Sequence, residues 1–390
     1  MTSLLIVAGE TSGDQLGAAL VQALMAQVAS VRIYGVGGDQ MRRAGVETLF
    51  DIERLNAVGI AEICTKIPYG LYMARRLLQA ARERGTRLVV LVDAPGFNLP
   101  FAYLAKRMGL RVVYYVSPQI WAWRQGRVKK VARRVDAMLT LFPFEVPFYT
   151  SAGVQAAYVG HPIVDRLETL PSVAQSIHSL GLDPDRQTVA VLPGSRGQEI
   201  RQLLLPMLAA VALMRQQHPA LQAVLPLAPA VNRHLVTPLL EQAAVPVTLV
   251  QGQSLEALQA SQVALVASGT ATLEAGLIGT PMVVLYKVHP VTELLARWLI
   301  RVPYIGLVNI VAGKQIVPEL LQRQVQPHTI ATHALRYLND VEATAQTQRE
   351  FARLRGILGL GGSAERAAAQ VAQCLAEAAA DAAPSTATGV

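Results

Sequence analysis

Leu88-Val89-Val90-Leu91-Val92-Asp93-Ala94-Pro95-Gly96-Phe97-Asn98 carries five aliphatic residues straight into a carboxylate and a Pro-Gly turn. An unbroken apolar run of that length, without polar alternation, reads as a strand buried on both faces. Leu4–Ala8 has the same texture and flows into a glycine loop. Gln15–Gln27 then reads as a helix, with Asp14 available to cap it. Val31–Gly35, Val112–Val116 and Ala137–Leu141 are further strand candidates, with helical stretches between several of them. Such βα alternation predicts a parallel sheet covered on both faces.

Around residues 161–187 the texture changes. His161-Pro162 leads into a mostly polar stretch with Pro171 and Asp183-Pro184-Asp185, which suits a connection between domains. The alternation then restarts: strand Thr188–Leu192, turn Gly194-Ser195-Arg196-Gly197, long helix Glu199–Gln217. Leu221–Leu227, Val247–Val250, Val263–Ala267 and Met282–Tyr286 read as later strands. The expected division is a Rossmann-like domain over 1–170, a second over 171–355, and a C-terminal helix and tail over 356–390. The Ala-rich end, Ala376–Val390, is expected to fray. The architecture repeats but the sequence does not.

The composition narrows the class. Of 390 residues, 52% are hydrophobic and 16% charged, which excludes a mainly disordered chain. Cys64 and Cys374 are the only cysteines, too few for a disulfide framework or a cysteine zinc site, and a reducing cytoplasm is the simplest setting. The net charge of +8 calls for an anionic partner: nucleic acid, a phosphorylated substrate or a lipid surface. No uncharged run reaches the roughly 18–20 residues of a spanning helix, so membrane contact would be peripheral. Met1–Val7 lacks the positive start of a signal peptide.

Ligands in doubly wound sheets sit beyond the carboxyl ends of strands, so the loops there carry the chemistry. Gly9-Glu10-Thr11-Ser12-Gly13-Asp14 lets backbone approach a ligand, and its spacing is neither a dinucleotide fingerprint nor a P-loop. It is either a tight turn or a site holding the acid Glu10. Asp93, partly desolvated at its strand end, has the raised basicity of a general base, or else hydrogen-bonds its own turn. Ser117-Pro118-Gln119-Ile120-Trp121-Ala122-Trp123 precedes Arg124, Arg127, Lys129, Lys130, Arg133 and Arg134, six cations in eleven residues. A solvated helix, a phosphate or lipid surface, and nucleic acid all fit, although the aromatics are bunched and not interleaved for base stacking. Glu62–Arg87 mixes apolar residues with Lys66, Arg75 and Arg76, as an interfacial helix or an ordinary surface helix does.

In the second half, Gly194, Ser195 and Arg196 open a helix, where amides, a hydroxyl and a guanidinium can hold a phosphate. Ser268-Gly269-Thr270 with Glu274 forms another strand-to-helix junction, the carboxylate facing either solvent or a sugar diol. His161 is a ligand contact or a hinge hydrogen-bonder. No HExxH or EF-hand pattern occurs, and no metal is expected.

Together these loops resemble the bacterial lipid-A-disaccharide synthase family. The matching pieces are Val7–Asp14, Asp93-Ala94-Pro95, Tyr115–Pro118 with Trp121–Arg124, Phe142–Glu145, Leu192–Gly197, Ala267–Ala271, Pro281–Val284 and Asn309–Gly313, in the family's order. The resemblance implies a GT-B glycosyltransferase: an α/β chain of two Rossmann-like, doubly wound parallel-sheet domains facing an interdomain cleft, inverting, with no metal or other cofactor. It implies transfer of 2,3-diacylglucosamine from its UDP form to the 6-hydroxyl of 2,3-diacylglucosamine 1-phosphate, at the cytoplasmic face of the inner membrane, with no nucleic acid partner. Asp93 matches the family's catalytic aspartate, with Glu10 a second acid near the sugars. Gly194, Ser195, Arg196, Ser268, Gly269, Thr270, Glu274 and Asn309 are expected on the donor side. Gly9, Ser12, Gly13, Ser117, Trp121 and Trp123 are expected around the acceptor, and Lys66, Arg75, Arg76, Arg127, Lys129 and Lys130 at an anionic membrane surface. Where the family often has Asp-Ala-Pro-Asp this chain has Gly96, so an acid that would orient the acceptor is missing. Some members are domain-swapped dimers, which leaves a homodimer open. The alternatives are another UDP-sugar enzyme of this fold, a non-catalytic membrane-binding protein, and a nucleic-acid binder.

Overall fold

The computed structural model describes residues 2–52, 60–123, 125–229, 231–243, 245–288 and 303–381, without the side chains of 60–67 and 123. The chain forms two compact units, Met1–Pro162 with Leu360–Val390, and Ile163–Gly359.

The first unit is a seven-stranded sheet: β1 (Thr2–Ala8), β2 (Val31–Gly37), β3 (Glu47–Asp51), β4 (Leu88–Val92), β5 (Arg111–Tyr115), β6 (Ala137–Thr140) and β7 (Gln155–Tyr158). Every pair is parallel, in the order β3-β2-β1-β4-β5-β6-β7. Leu88 to Val92 are all fully buried, as the unbroken apolar run requires. The edge strands β3 and β7 carry no such run: Glu47 and Gln155 start them, and both strands are only partly covered. The strand order reverses between β1 and β4, which pair with Ala8 opposite Val92. Loops leaving two such strands diverge to opposite faces and open a crevice.

The opposite end of this sheet is tied by a hydroxyl cluster. Thr86 Oγ1 lies 2.7 Å from both Ser3 Oγ and Tyr34 Oη, while Arg84 sits 4.3 Å over the Tyr34 ring and grips both Glu47 oxygens. Asp14 does not cap its own helix, which begins at Thr11 with no side-chain cap. It is buried one turn inside and accepts from the amides of Gly38, Gln40 and Met41 at 2.6, 3.0 and 3.1 Å, so it caps the neighbouring helix Asp39–Arg43. The helix Ser363–Ala380 packs on Thr11–Gln27 and buries Ala367, Val371, Leu375 and Ala378. The expected fraying of 376–380 is therefore wrong, because burial on this unit holds that turn; residues 382–390 lie outside the described residues. Arg366 donates to the carbonyls of Val159, Leu360 and Gly361, tying the stretch just before residue 163 to the stretch just after residue 359.

The second unit is a six-stranded parallel sheet: β8 (Thr188–Leu192), β9 (Gln222–Leu227), β10 (Val247–Gln251), β11 (Val263–Ala267), β12 (Met282–Tyr286) and β13 (Glu319–Leu321), in the order β10-β9-β8-β11-β12-β13. It reverses between β8 and β11, so both units share one plan. The helix Gly197–Gln217 buries Leu203, Leu204, Met207, Leu208 and Val211 in the core on this sheet, at the i, i+4, i+7 spacing of one helical face. The three-residue edge strand β13 is too short to announce itself.

Two loops of the first unit are fastened by a buried carboxylate. Glu145 is 2% exposed and accepts from Ser117 Oγ, Trp121 Nε1 at 2.9 Å and the Phe142 amide at 3.1 Å. Burial outweighs these donors and pushes its pKa up to about 7. An unfolded glutamate titrates near 4.5, so above that pH the folded chain retains a proton that the unfolded chain has released. Stability from this group is complete below about 4.5 and is lost as pH rises through about 7, by about 3 kcal/mol at most. Denaturant unfolding of the chain and of Glu145→Gln across this window should show the wild type losing stability relative to the variant as pH rises. A difference independent of pH would contradict the assignment.

Candidate functional site

At the first reversal, Asp93 leaves β4 with its amide still paired to the Tyr115 carbonyl at 2.9 Å. Its backbone then turns left-handed, φ +48°, and Ala94 follows at φ +44°. Two successive non-glycine residues there are costly, and such strain is kept where the surroundings over-determine it. The surroundings are specific. The Asp93 carbonyl accepts from Tyr114 Oη at 2.6 Å and Asn98 Nδ2 at 2.8 Å. Ala94 Cβ lies only 2.3 Å from where a Cβ on Gly9 would stand, so Gly9 has no room for a side chain. That close approach brings the exposed Glu10, next to Gly9, beside Asp93. Burial first, and the Glu10 charge second, raise the Asp93 pKa to about 6. Gly13 is buried against β1 and Val92, while Ser12 is exposed at the same loop. Gly9, Glu10, Ser12, Gly13 and Asp93 thus meet at one place.

At the second reversal, Gly194 (φ +105°), Ser195 and Arg196 lead into the long helix. Glu199, one turn in, already occupies this turn. Its carboxylate accepts from the amides of Ser195 and Arg196 at 3.2 and 3.3 Å and from Arg196 Nη1 at 3.1 Å. It also fills the space a Gly194 Cβ would need. The turn therefore holds an anion, as its residues suggest, but the anion is the chain's own. Across the reversal, Ser268 Oγ donates to the Ile305 carbonyl at 2.9 Å, Gly269 precedes the helix Thr270–Ile278, and Thr270 is exposed. Glu274 is largely buried and 3.5 Å from Arg166; burial raises its pKa against that cation's pull.

Three expected contacts point inward instead. Asn309 is fully buried; its Nδ2 donates to Val317 O and Glu319 Oε1, and its Oδ1 accepts from the amides of Ile316 and Val317. Both ends of the amide are engaged, so its side chain shapes the loop and does not reach out to a ligand. Glu319 in turn accepts from the amides of Ile305 and Gly306. Ser117 and Trp121, expected at an acceptor, are buried on Glu145. A carboxylate cannot be dehydrated without donors, and these two supply them. Glu199, Glu319, Tyr114 and Asn98 were not expected at the site, and Glu145 appeared only within a family-matching stretch; Tyr114 and Glu319 act on residues distant in sequence, while Glu199 turns back on the residues just before its helix.

Arg75 and Arg76 are exposed on the helix Ile60–Glu83, one turn after the exposed Leu71 and Tyr72. Arg127, Lys129 and Lys130 are exposed on a 3-10 turn and a five-residue helix, not on one continuous basic helix. The side chains of Lys66 and Trp123 lie outside the described residues. Among the described residues no helix is long and apolar enough to cross a membrane.

The fold is shared with a solved epimerase and a solved glycosyltransferase. The UDP-GlcNAc 2-epimerase of Neisseria meningitidis, solved with UDP-GlcNAc, aligns at TM-score 0.62 and 11% identity over 97% of this chain and all of its own. The glycosyltransferase of kitacinnamycin aligns at TM-score 0.62 and 16% identity over 95% and 98%. Sequence likeness is much closer elsewhere. The lipid-A-disaccharide synthase of Geobacter sulfurreducens is 41% identical over 372 residues, and that of Myxococcus xanthus 43% over 372, each covering 95% of this chain and 97% of the relative. The family model described as lipid-A-disaccharide synthetase matches residues 4–374. On this likeness over nearly its whole length, the chain belongs to the lipid-A-disaccharide synthase family of glycosyltransferases.

Proposed function

We propose that this chain moves 2,3-diacylglucosamine from UDP-2,3-diacylglucosamine to the 6-hydroxyl of 2,3-diacylglucosamine 1-phosphate, with inversion, giving a β-1,6 disaccharide and UDP. The observation that carries the mechanism is a dehydrated carboxylate, Asp93, with a second acid beside it at the reversal of the first sheet. Asp93 removes the proton from the acceptor hydroxyl as its oxygen bonds to the anomeric carbon. The bond from that carbon to the diphosphate oxygen breaks, and UDP leaves with the electron pair. A base with pKa near 6 is deprotonated at neutral pH yet strong enough to take a proton in the transition state.

Arg196 and the helix start behind it are the donor-side counterpart. A diphosphate carries more charge than the Glu199 carboxylate and displaces it from the guanidinium, so Arg196 can meet the charge that builds on UDP. Glu274 exchanges its ion pair with Arg166 for the ribose hydroxyls. UDP-bound neighbours of the same fold support a UDP-sugar donor. Leu71 and Tyr72, about half exposed beside Arg75 and Arg76, support peripheral contact with an anionic membrane.

Asp93→Asn should fold as the wild type does and lose nearly all disaccharide synthesis; wild-type turnover would end its role as base. The rate should rise with pH through about 6, because only ionised Asp93 accepts the proton. Glu10→Gln removes the neighbouring charge and should move that acidic limb to lower pH; an unmoved limb would separate Glu10 from the site. Arg196→Ala should weaken UDP binding in calorimetry by about tenfold or more, and unchanged affinity would place the diphosphate elsewhere.

A further inference from the structure

The Asp93 turn is held by two buried side chains that the mechanism does not use. Tyr114 lies on β5, the neighbour of β4, with Leu91 opposite it in register. Its ring is fully buried and its hydroxyl donates to the Asp93 carbonyl at 2.6 Å. Asn98, three residues into the helix Pro95–Arg107, is also fully buried. Its Nδ2 faces three carbonyls, Asp93 at 2.8 Å, Val92 at 3.1 Å and Val7 at 3.4 Å. Three oxygens around one atom settle which end of the amide is the nitrogen. Its Oδ1 has no protein donor among the described residues. An amide kept with one end unmatched is kept for the other end.

These contacts have a directional consequence. A left-handed residue points its carbonyl and side chain differently from a strand residue, and φ +48° is held against relaxation only if that carbonyl is fixed. The strand ladder fixes the amide side of Asp93 through Tyr115. Tyr114 and Asn98 fix the carbonyl side, and the next residue, Ala94, lies close against Gly9.

We propose that Tyr114 and Asn98 are positioning residues for Asp93: their two hydrogen bonds to its carbonyl lock the left-handed turn that orients the carboxylate. Neither touches substrate. The inference rests on the reading of Asp93 as the base, and the test separates the two. Tyr114→Phe removes one hydroxyl and leaves the ring in the core. Its kcat should fall about 10- to 100-fold, as a misplaced base does, with the KM for the donor within about twofold of wild type and amide exchange over residues 93–98 faster than in wild type. Asn98→Ala should do the same, and carries the test alone if Tyr114→Phe loses cooperative unfolding. Wild-type kcat in both variants, with Asp93→Asn inactive, overturns the positioning role and leaves the base in place. A raised KM with unchanged kcat also overturns it. If Asp93→Asn stays active, the base reading fails, and unchanged exchange over 93–98 in Tyr114→Phe then removes the lock as well.

Discussion

Each sheet of this chain reverses its strand order once, and the proposed chemistry rests on those two places. A parallel sheet must bury both faces, so its strands are apolar and its connections climb over one face or the other. Only where the order reverses do two adjacent loops part and leave strand-end groups accessible. β1 and β4 deliver Glu10 and Asp93 to one such place, and β8 and β11 deliver Arg196 and Ser268 to the other. The strand that dehydrates Asp93 is the strand that makes the core: five fully buried aliphatic residues remove water from behind the carboxylate.

The two reversals solve different electrostatic problems. The first raises the basicity of an acid by withholding solvent and adding a like charge, and holds it in an unfavourable backbone conformation. The second collects donors, two backbone amides and a guanidinium, which the chain satisfies with its own Glu199. Such internal satisfaction keeps exposed donors ordered, and a more highly charged ligand can replace it.

What could be read from the sequence follows the same logic. Unbroken apolar runs marked the central strands, and the loops behind them marked both reversals, because burial on two faces leaves a local signature. The partly covered edge strands Glu47–Asp51 and Glu319–Leu321 left none, whereas the edge strand Val247–Gln251 is apolar enough to be read. Long-range polar work was equally invisible. Asp14 looked like a cap for its own helix but serves one 24 residues on. Asn309 and the pair Ser117 and Trp121 matched the family pattern, yet their hydrogen bonds go to chain segments that spacing alone cannot place nearby. Family likeness pointed to these loops; the structure separates side chains that face outward from those that hold the loop together.

Dehydration of one carboxylate at the first reversal is the centre of this account, and it can be measured without any substrate. Carbon-13 NMR titration of aspartate carboxyl groups, with Asp93→Asn to assign the resonance, gives its midpoint directly. A midpoint of about 6 is expected; one near the ordinary aspartate value of about 4 would show that the carboxylate is not dehydrated.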